Sequence, residues 1–181
     1  SGHPRTMGVA DYEFFQMCGR GEFSTVWKAA NIHSGEVVAA KAQSKLSVGE
    51  VEGGLDRVTI ERNILLKLTK TPHPFIVSLL ATFQSKDFYF IMVEYAPNGN
   101  LMEYLTKNSN GSDGPSGIKS HQLLLQFTAE ITDALCFIHQ SGIVFRDLKP
   151  ENIMLDSGYH TKLVDFGLAV EGEWVDGEWV E

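Results

Sequence analysis

The stretch Gly142–Gly167, "GIVFRDLKPENIMLDSGYHTKLVDFG", decides how this chain of 181 residues is to be read. Asp147, Lys149 and Asn152 stand in "FRDLKPEN", and Asp165 follows in "DFG". Phosphoryl transfer asks few covalent helpers of a protein. It needs a hard cation held by oxygen ligands, a group that orients the attacking hydroxyl, and positive charge beside the migrating phosphate. Asn152 and Asp165 supply oxygen for a metal ion, Asp147 accepts a hydroxyl proton, and Lys149 supplies the charge. Pro150 stiffens the loop between them. A merely solvated polar loop is the plain alternative, and this order of residue types argues against it.

Upstream, "CGRGEFSTV" places Gly19 and Gly21 with Ser24 and Val26. A dinucleotide-binding turn of this kind must open into a helix. Here Thr25, Val26 and Trp27 follow, residue types that favour a strand. A strand-turn-strand flap over nucleotide phosphates fits better, and an ordinary turn that uses glycine for positive φ remains open. "VVAAK" then ends an apolar strand on Lys41. In the helix expected from about Asp56 to Lys70, Val58, Glu61, Ile64, Leu65 and Leu68 share one face, with Glu61 near its middle. A carboxylate centred on an apolar stripe is costly unless a cation meets it. Lys41 is the natural partner.

The remaining text supplies a coarse frame. "YEFFQMC", "STVWKAAN", "EVVAAKA", "FIVSLLATF" and "FYFIMVEY" read as strands, with a long turn-rich segment between the third strand and the helix. Asn100 caps a short helix, with Glu103 three residues on. "TKNSNGSDGPSG" reads as a surface loop, and a long helix runs from His121 to Gln140, closed by Gly142. That helix carries Leu123, Leu124, Leu125, Phe127, Ile131, Leu135, Phe137 and Ile138, too wide an apolar surface for one face, so exposed apolar surface is expected on it.

Taken together, "GRGEFSTV", "VVAAK", Glu61, "FRDLKPEN" and "DFG" resemble the eukaryotic protein kinases in order and spacing, from about Asp11 to Ala169. "HPFIVSLLATFQ" and "DSGYHTKLVDFGLA" are most similar to the AGC group, and "DLKPEN" is the serine/threonine form. The resemblance implies an α+β, two-lobe fold: an antiparallel β-sheet N-lobe plus one helix over residues 11–96, and an incomplete helical C-lobe over 97–170. It implies ATP and Mg2+ as cofactors and a protein carrying a Ser or Thr acceptor as partner. Gly19, Arg20, Gly21 and Ser24 would form the phosphate flap, with Val26 and Ala39 above the adenine and Met154 beneath it. Lys41 would hold the α- and β-phosphates and pair with Glu61. Val93 would be the gatekeeper, the backbone of Glu94 and Ala96 would bind adenine, and Asn100 would lie by the ribose. Asp147 would be the catalytic base, with Lys149 beside it, and Asn152 and Asp165 the Mg2+ ligands. Leu65, Leu79, Phe145 and Phe166 fall on the family's stacked hydrophobic spine. Glu151 falls where the family favours a basic residue near the phosphosite. Ser24 replaces a glycine and Phe145 a His or Tyr; the first stiffens the flap, the second keeps packing and loses a polar atom.

Composition sets outer limits. Hydrophobic content of 43% and charged content of 21% belong to a globular protein. A net charge of −8 argues against a broad nucleic-acid surface. No apolar run reaches membrane-span length, and no secretory signal opens the chain. Cys18 and Cys136 read as free thiols of a reducing compartment, cytoplasmic or nuclear. The histidines show no paired metal-ligand spacing. The opening "SGHPRTMG" reads as a tag remnant or a cut end. After Val170 the resemblance stops, and residues 171–181, "EGEWVDGEWVE", form an atypical acidic tail that repeats Gly-Glu-Trp-Val. The expectation is a fragment of a longer kinase domain, the tail being translated intron or a faulty gene model. The oligomeric state stays open. The alternative is a truncated, pseudokinase-like module that holds nucleotide or a partner without turnover. A nucleotide-binding dehydrogenase is a distant third.

Overall fold

Alternating apolar and polar residues dominate the first half of the chain, and in a computed structural model they form one pleated sheet. The structure describes residues 7–21, 23–109, 121–175 and 178–180. Two compact units are present: residues up to Arg62 with Ser78–Tyr95, and Asn63–Val77 with the residues from Ala96 onward.

In the first unit, β1 (Tyr12–Arg20), β2 (Ser24–Asn31), β3 (Val37–Ser44), β4 (Leu79–Gln84) and β5 (Phe88–Glu94) form an antiparallel sheet in the order β1-β2-β3-β5-β4. Successive side chains of a strand point to opposite faces. One face buries Tyr12, Ala29, Val38, Ala40, Ala42, Phe90 and Met92 as a continuous core. Each of the larger side chains contributes about 1.5–3 kcal/mol by leaving water.

Two elements differ from the sequence reading. The segment after β3, read as turn-rich, contains a short helix, α1 (Lys45–Gly49), because the Ser44 side chain accepts the Ser47 N–H. The strand expected over "FIVSLLATF" starts only at Leu79. Ahead of it, Val77 N–H donates to Leu163 O and Leu163 N–H to Phe75 O, so residues 75–77 pair within the second unit instead.

Helix α2 (Gly54–Lys70) begins two residues before the predicted Asp56. Val58, Glu61, Ile64, Leu65 and Leu68 are all buried, as the stripe requires.

The second unit holds α3 (Leu101–Ser109) and α4 (His121–Gln140). Asn100 caps α3: its Oδ1 accepts the Glu103 N–H at 2.8 Å and its Nδ2 donates to Glu103 Oε1 at 3.2 Å. The loop predicted to begin at Thr106 is helical as far as Ser109, and the Thr106 hydroxyl donates back to Met102 O. The rest of that loop lies outside the described residues. Gly142 ends α4 with φ +70°, the left-handed conformation that glycine adopts without cost. A side chain there would also approach Gly172 O to 2.9 Å. Along α4, Phe127, Ala134 and Ile138 are buried, while Leu124 and Leu125 are exposed, as the width of its apolar surface suggests.

Short ribbons complete this unit: β6 (Ile143–Val144) pairs with β9 (Val170–Glu171), and β7 (Ile153–Leu155) pairs with β8 (Thr161–Leu163). The repeated tail folds on itself, β10 (Glu173–Val175) lying antiparallel to β11 (Glu178–Val180), so that one Glu-Trp-Val copy faces the other. Among the described residues, no helix is long and apolar enough to cross a membrane.

A buried carboxylate fastens the β7–β8 ribbon to α4. Glu130 Oε2 accepts the Thr161 N–H at 2.8 Å and its hydroxyl at 3.0 Å, and Oε1 lies 2.6 Å from His160 Nδ1. Burial raises the Glu130 carboxyl, but the hydrogen bonds from Thr161, His160 and Gln126 together outweigh it and hold the group below the ordinary carboxylate range. The hydrogen bond to Glu130 raises His160 above the usual imidazole value. Glu130 therefore stabilises the fold above the unfolded carboxylate value and ceases to as pH falls through its lowered one. His160 stabilises it below the unfolded imidazole value and ceases to as pH rises through its raised one. Glu130→Gln should cost most between about pH 5 and about 6.5, by about 1–3 kcal/mol. Urea unfolding across the pH range checks this: the difference from the unaltered chain should narrow on either side, and a difference independent of pH contradicts it.

Candidate active site

The face of the sheet opposite the core carries most of the residues singled out in the first unit. Val26 lies opposite Lys41, and Lys41 opposite Ile91; one step along, Ala39 lies opposite Val93. The pleat thus sets Val26, Ala39, Lys41 and Val93 on one side. Lys41 Nζ meets Glu61 Oε1 at 2.6 Å, with side-chain exposures of 16% and 3%, so the cation expected for the misplaced glutamate is present. Sequence reasoning does not single out Gln43, two residues beyond Lys41 on the same face, whose Nε2 donates to Glu61 Oε2 at 3.3 Å. The signal was a polar residue in the apolar run "VVAAKAQS".

The glycine turn lies between β1 and β2. Gly21 N–H donates to Ser24 O at 2.8 Å, and Arg20, exposed, pairs with Thr25. Neither Gly19 nor Gly21 has positive φ, which removes the ordinary-turn reading of these glycines. Among the described residues, a side chain added at Gly19 would meet nothing within 4 Å. The register of β1 against β2 shifts between Met17 and Gly19, an irregularity at which glycine is commonly found.

In the second unit the catalytic stretch is held by its own hydrogen bonds. Asn152 is buried, and its Nδ2 donates to Asp147 O at 3.0 Å and to Asp147 Oδ2 at 2.7 Å. Lys149 Nζ reaches the same Oδ2 at 2.7 Å. Two donors thus share one oxygen of the Asp147 carboxylate. The hydrogen bond to Asp147, helped by the charges of Asp147, Asp165 and Glu151, holds Lys149 above the ordinary lysine value, so it stays a cation through neutral pH. Val164 N–H donates to Asn152 O at 3.0 Å, which ties this loop to the strand leading into Asp165. Asp165 has φ 62°, and its Oδ1 accepts the Gly167 N–H at 3.3 Å. Phe145, standing where a polar ring was expected, packs edge-on against Phe166 with ring centroids 5.1 Å apart, and both are buried. Leu65 and Leu79 are also buried.

The remaining candidates divide. Met154 pairs with Lys162 across the β7–β8 ribbon and bridges to Asn100. Asn100 spends its side chain on capping α3, so its amide is already committed on both atoms. Glu94 is tied to Ser78, through its N–H to Ser78 O and through its Oε1 to Ser78 N–H. Ala96 is buried, and among the described residues its N–H donates to no protein acceptor.

These residues fit Mg2+ and a nucleotide. Mg2+ takes one or two protein oxygens and completes its shell with water and phosphate. With its Nδ2 committed to Asp147, Asn152 offers its amide oxygen, and Asp165 offers a carboxylate. Among the described residues no cluster of three or more His, Cys, Asp or Glu forms, and such a shared-ligand site needs none.

Removing one member of a buried ion pair strands the other charge, whereas replacing both with apolar groups restores balance. Lys41→Met should therefore destabilise the chain by about 2–4 kcal/mol, and Lys41→Met with Glu61→Leu should recover most of that loss. Urea denaturation of the four-member cycle measures it; additive losses would show that the two side chains are uncoupled.

Comparison with known proteins agrees with this geometry. The family model described as "Protein kinase domain" matches residues 12–174. Protein kinase C epsilon type of Rattus norvegicus is 34% identical over 171 residues, which is 94% of this chain and 22% of that protein. The RAC family serine/threonine-protein kinase homolog of Dictyostelium discoideum is 36% identical over 166 residues, 92% of this chain and 35% of that protein. The 3-phosphoinositide-dependent protein kinase 1 of Homo sapiens is 35% identical over 166 residues, 92% of this chain and 28% of that protein. The chain thus spans between about a fifth and a third of the length of these curated relatives. With its β3 lysine paired to a helical glutamate and its Asp147–Asn152 loop followed by Asp165, the chain belongs to the protein kinase family.

Proposed function

We propose that this chain is the ATP-binding and catalytic-loop portion of a serine/threonine protein kinase, acting on a Ser or Thr hydroxyl of a protein. The observation that carries the reading is Asp147, with one carboxylate oxygen held by Lys149 and Asn152 and the other left to accept a proton. When bound, Mg2+·ATP supplies the γ-phosphoryl group and the cation that offsets its charge. Asp147 takes the proton of the attacking hydroxyl as its oxygen bonds to phosphorus and the bond to the leaving oxygen breaks. Lys149, a cation through neutral pH, stands beside Asp147 to offset charge on the group in transit. Asn152 and Asp165 hold the metal. Lys41, kept in place by Glu61, contacts the phosphates, and Gly19 lets the flap backbone approach them. Ala96 offers its N–H to the base, while Asn100 contacts the ribose through its backbone if at all, since its side chain caps a helix. Arg20, Ser24, Val26, Ala39, Val93, Glu94 and Met154 complete the nucleotide surface. Exposed thiols at Cys18 and Cys136 suit a reducing cytoplasmic or nuclear setting.

The test is transfer of labelled phosphate from ATP to a serine-containing basic peptide. Asp147→Asn should lower turnover by about 10²–10⁴-fold and leave nucleotide affinity within about threefold. Nucleotide binding without transfer by the unaltered chain would move the reading to a module without turnover. Failure to bind would remove it.

A further inference from the structure

We propose that Gln43 is a positioning residue for the Lys41–Glu61 pair, fixing the second oxygen of the glutamate so that the lysine ammonium is held in one place. Gln43 is 7% exposed, in the middle of the sheet between Ser24 of β2 and Tyr89 of β5. Its side chain lies on the face that carries Lys41, since the two are two residues apart in β3. Its amide nitrogen points to Glu61 Oε2 at 3.3 Å, the orientation that an ionised carboxylate accepts, while Lys41 holds Oε1 at 2.6 Å.

The opposite end of the same amide marks the cost. Gln43 Oε1 is the one buried side-chain polar atom without a hydrogen-bond partner among the described residues. A buried acceptor left unpaired is destabilising, and each such case needs a reason. A methionine of similar size would fill the position and leave no orphan acceptor. What glutamine adds is the donor to Glu61. A carboxylate held at one oxygen pivots about that contact; held at both, its plane is set, and so is the point at which the lysine meets it. Position 43 thus gives up stability for geometry, which is the pattern of a functional residue rather than of a core residue.

This inference rests on the proposed function only for what Lys41 is held to do; the positioning itself is a property of the chain without nucleotide. The test uses the 181-residue chain and two readouts. Acylation of Lys41 by a water-soluble amine-reactive ester, measured by peptide mass spectrometry against exposed Lys107 as internal reference, reports how firmly the ammonium is held. Urea unfolding reports global stability. In Gln43→Met, Lys41 should acylate about tenfold faster, the equivalent of one lost charge-assisted hydrogen bond, while the urea midpoint stays level or rises. In a Glu61→Gln background, the same substitution should change Lys41 acylation little. An unchanged Lys41 rate in Gln43→Met overturns the proposal, as does a faster rate that appears only with a lowered midpoint. Protection of Lys41 by Mg2+·ATP in the unaltered chain tests the nucleotide reading separately. Absence of protection alongside faster acylation in Gln43→Met would remove that reading and support the role of Gln43.

Discussion

A glutamate on the buried face of a helix is the constraint around which the first unit is organised. Glu61 sits among Val58, Ile64, Leu65 and Leu68, with its side chain 3% exposed, and an unpaired charge there would be prohibitive. The sheet answers it with one strand. The alternation of β3 sends Val38, Ala40 and Ala42 into the apolar core and Ala39, Lys41 and Gln43 to the other side. The same pleat that builds the core therefore aims the cation and the amide at the carboxylate. Small residues at 39, 40 and 42 pack little volume of their own, which suits a strand whose larger side chains are reserved for polar contacts.

The second unit meets a different constraint, which is to hold Asp147, Asn152 and Asp165 on irregular backbone. Arg146 and Asp165 both have φ 62°, and neither is glycine. Such conformations persist where the surroundings over-determine them. Here the surroundings are identifiable: the Arg146 Nε donates to Leu168 O, Asn152 ties Asp147 and Val164 together, and Phe145 and Phe166, the chain neighbours of Arg146 and Asp165, pack ring against ring. The apolar pair and the polar network are two parts of one support. Replacing a polar ring by Phe145 keeps that support, because the requirement met at this position is volume and edge-on packing.

Much of this was legible in the residues. The periodicity from Asp56 onward named five of the six buried positions of α2, all but Gly54, and the cost of burying Glu61 pointed to Lys41. The order of Asp147, Lys149, Asn152 and Asp165 pointed to the protein kinase family, to which the chain belongs, because few other functions need those side chains together. Less visible were features set by long-range backbone pairing. "FIVSLLATF" has the pattern of one strand, yet Phe75–Val77 pair with Leu163, distant in sequence, and pattern alone carries no information on partners. Helix α1 depends on one serine cap, and a cap signal in front of only five residues is weak. The Glu-Trp-Val repeat was noticed as a repeat, but the intervening Asp-Gly, a dipeptide favoured in tight hairpins, was the cue that the copies would pair. Asn100 was read in two ways at once, as a cap and as a ribose contact, and the geometry favours the cap.

The most direct test of the account is a calorimetric titration of ATP into the chain, with magnesium and again with the metal chelated. If Asn152 and Asp165 hold Mg2+ while Lys41 and the glycine flap hold phosphate, binding should saturate at one nucleotide per chain. It should weaken at least about tenfold when the metal is removed, because the cation held by Asn152 and Asp165 would offset the phosphate charge. Binding of equal strength without magnesium, or no saturable binding at all, would contradict it.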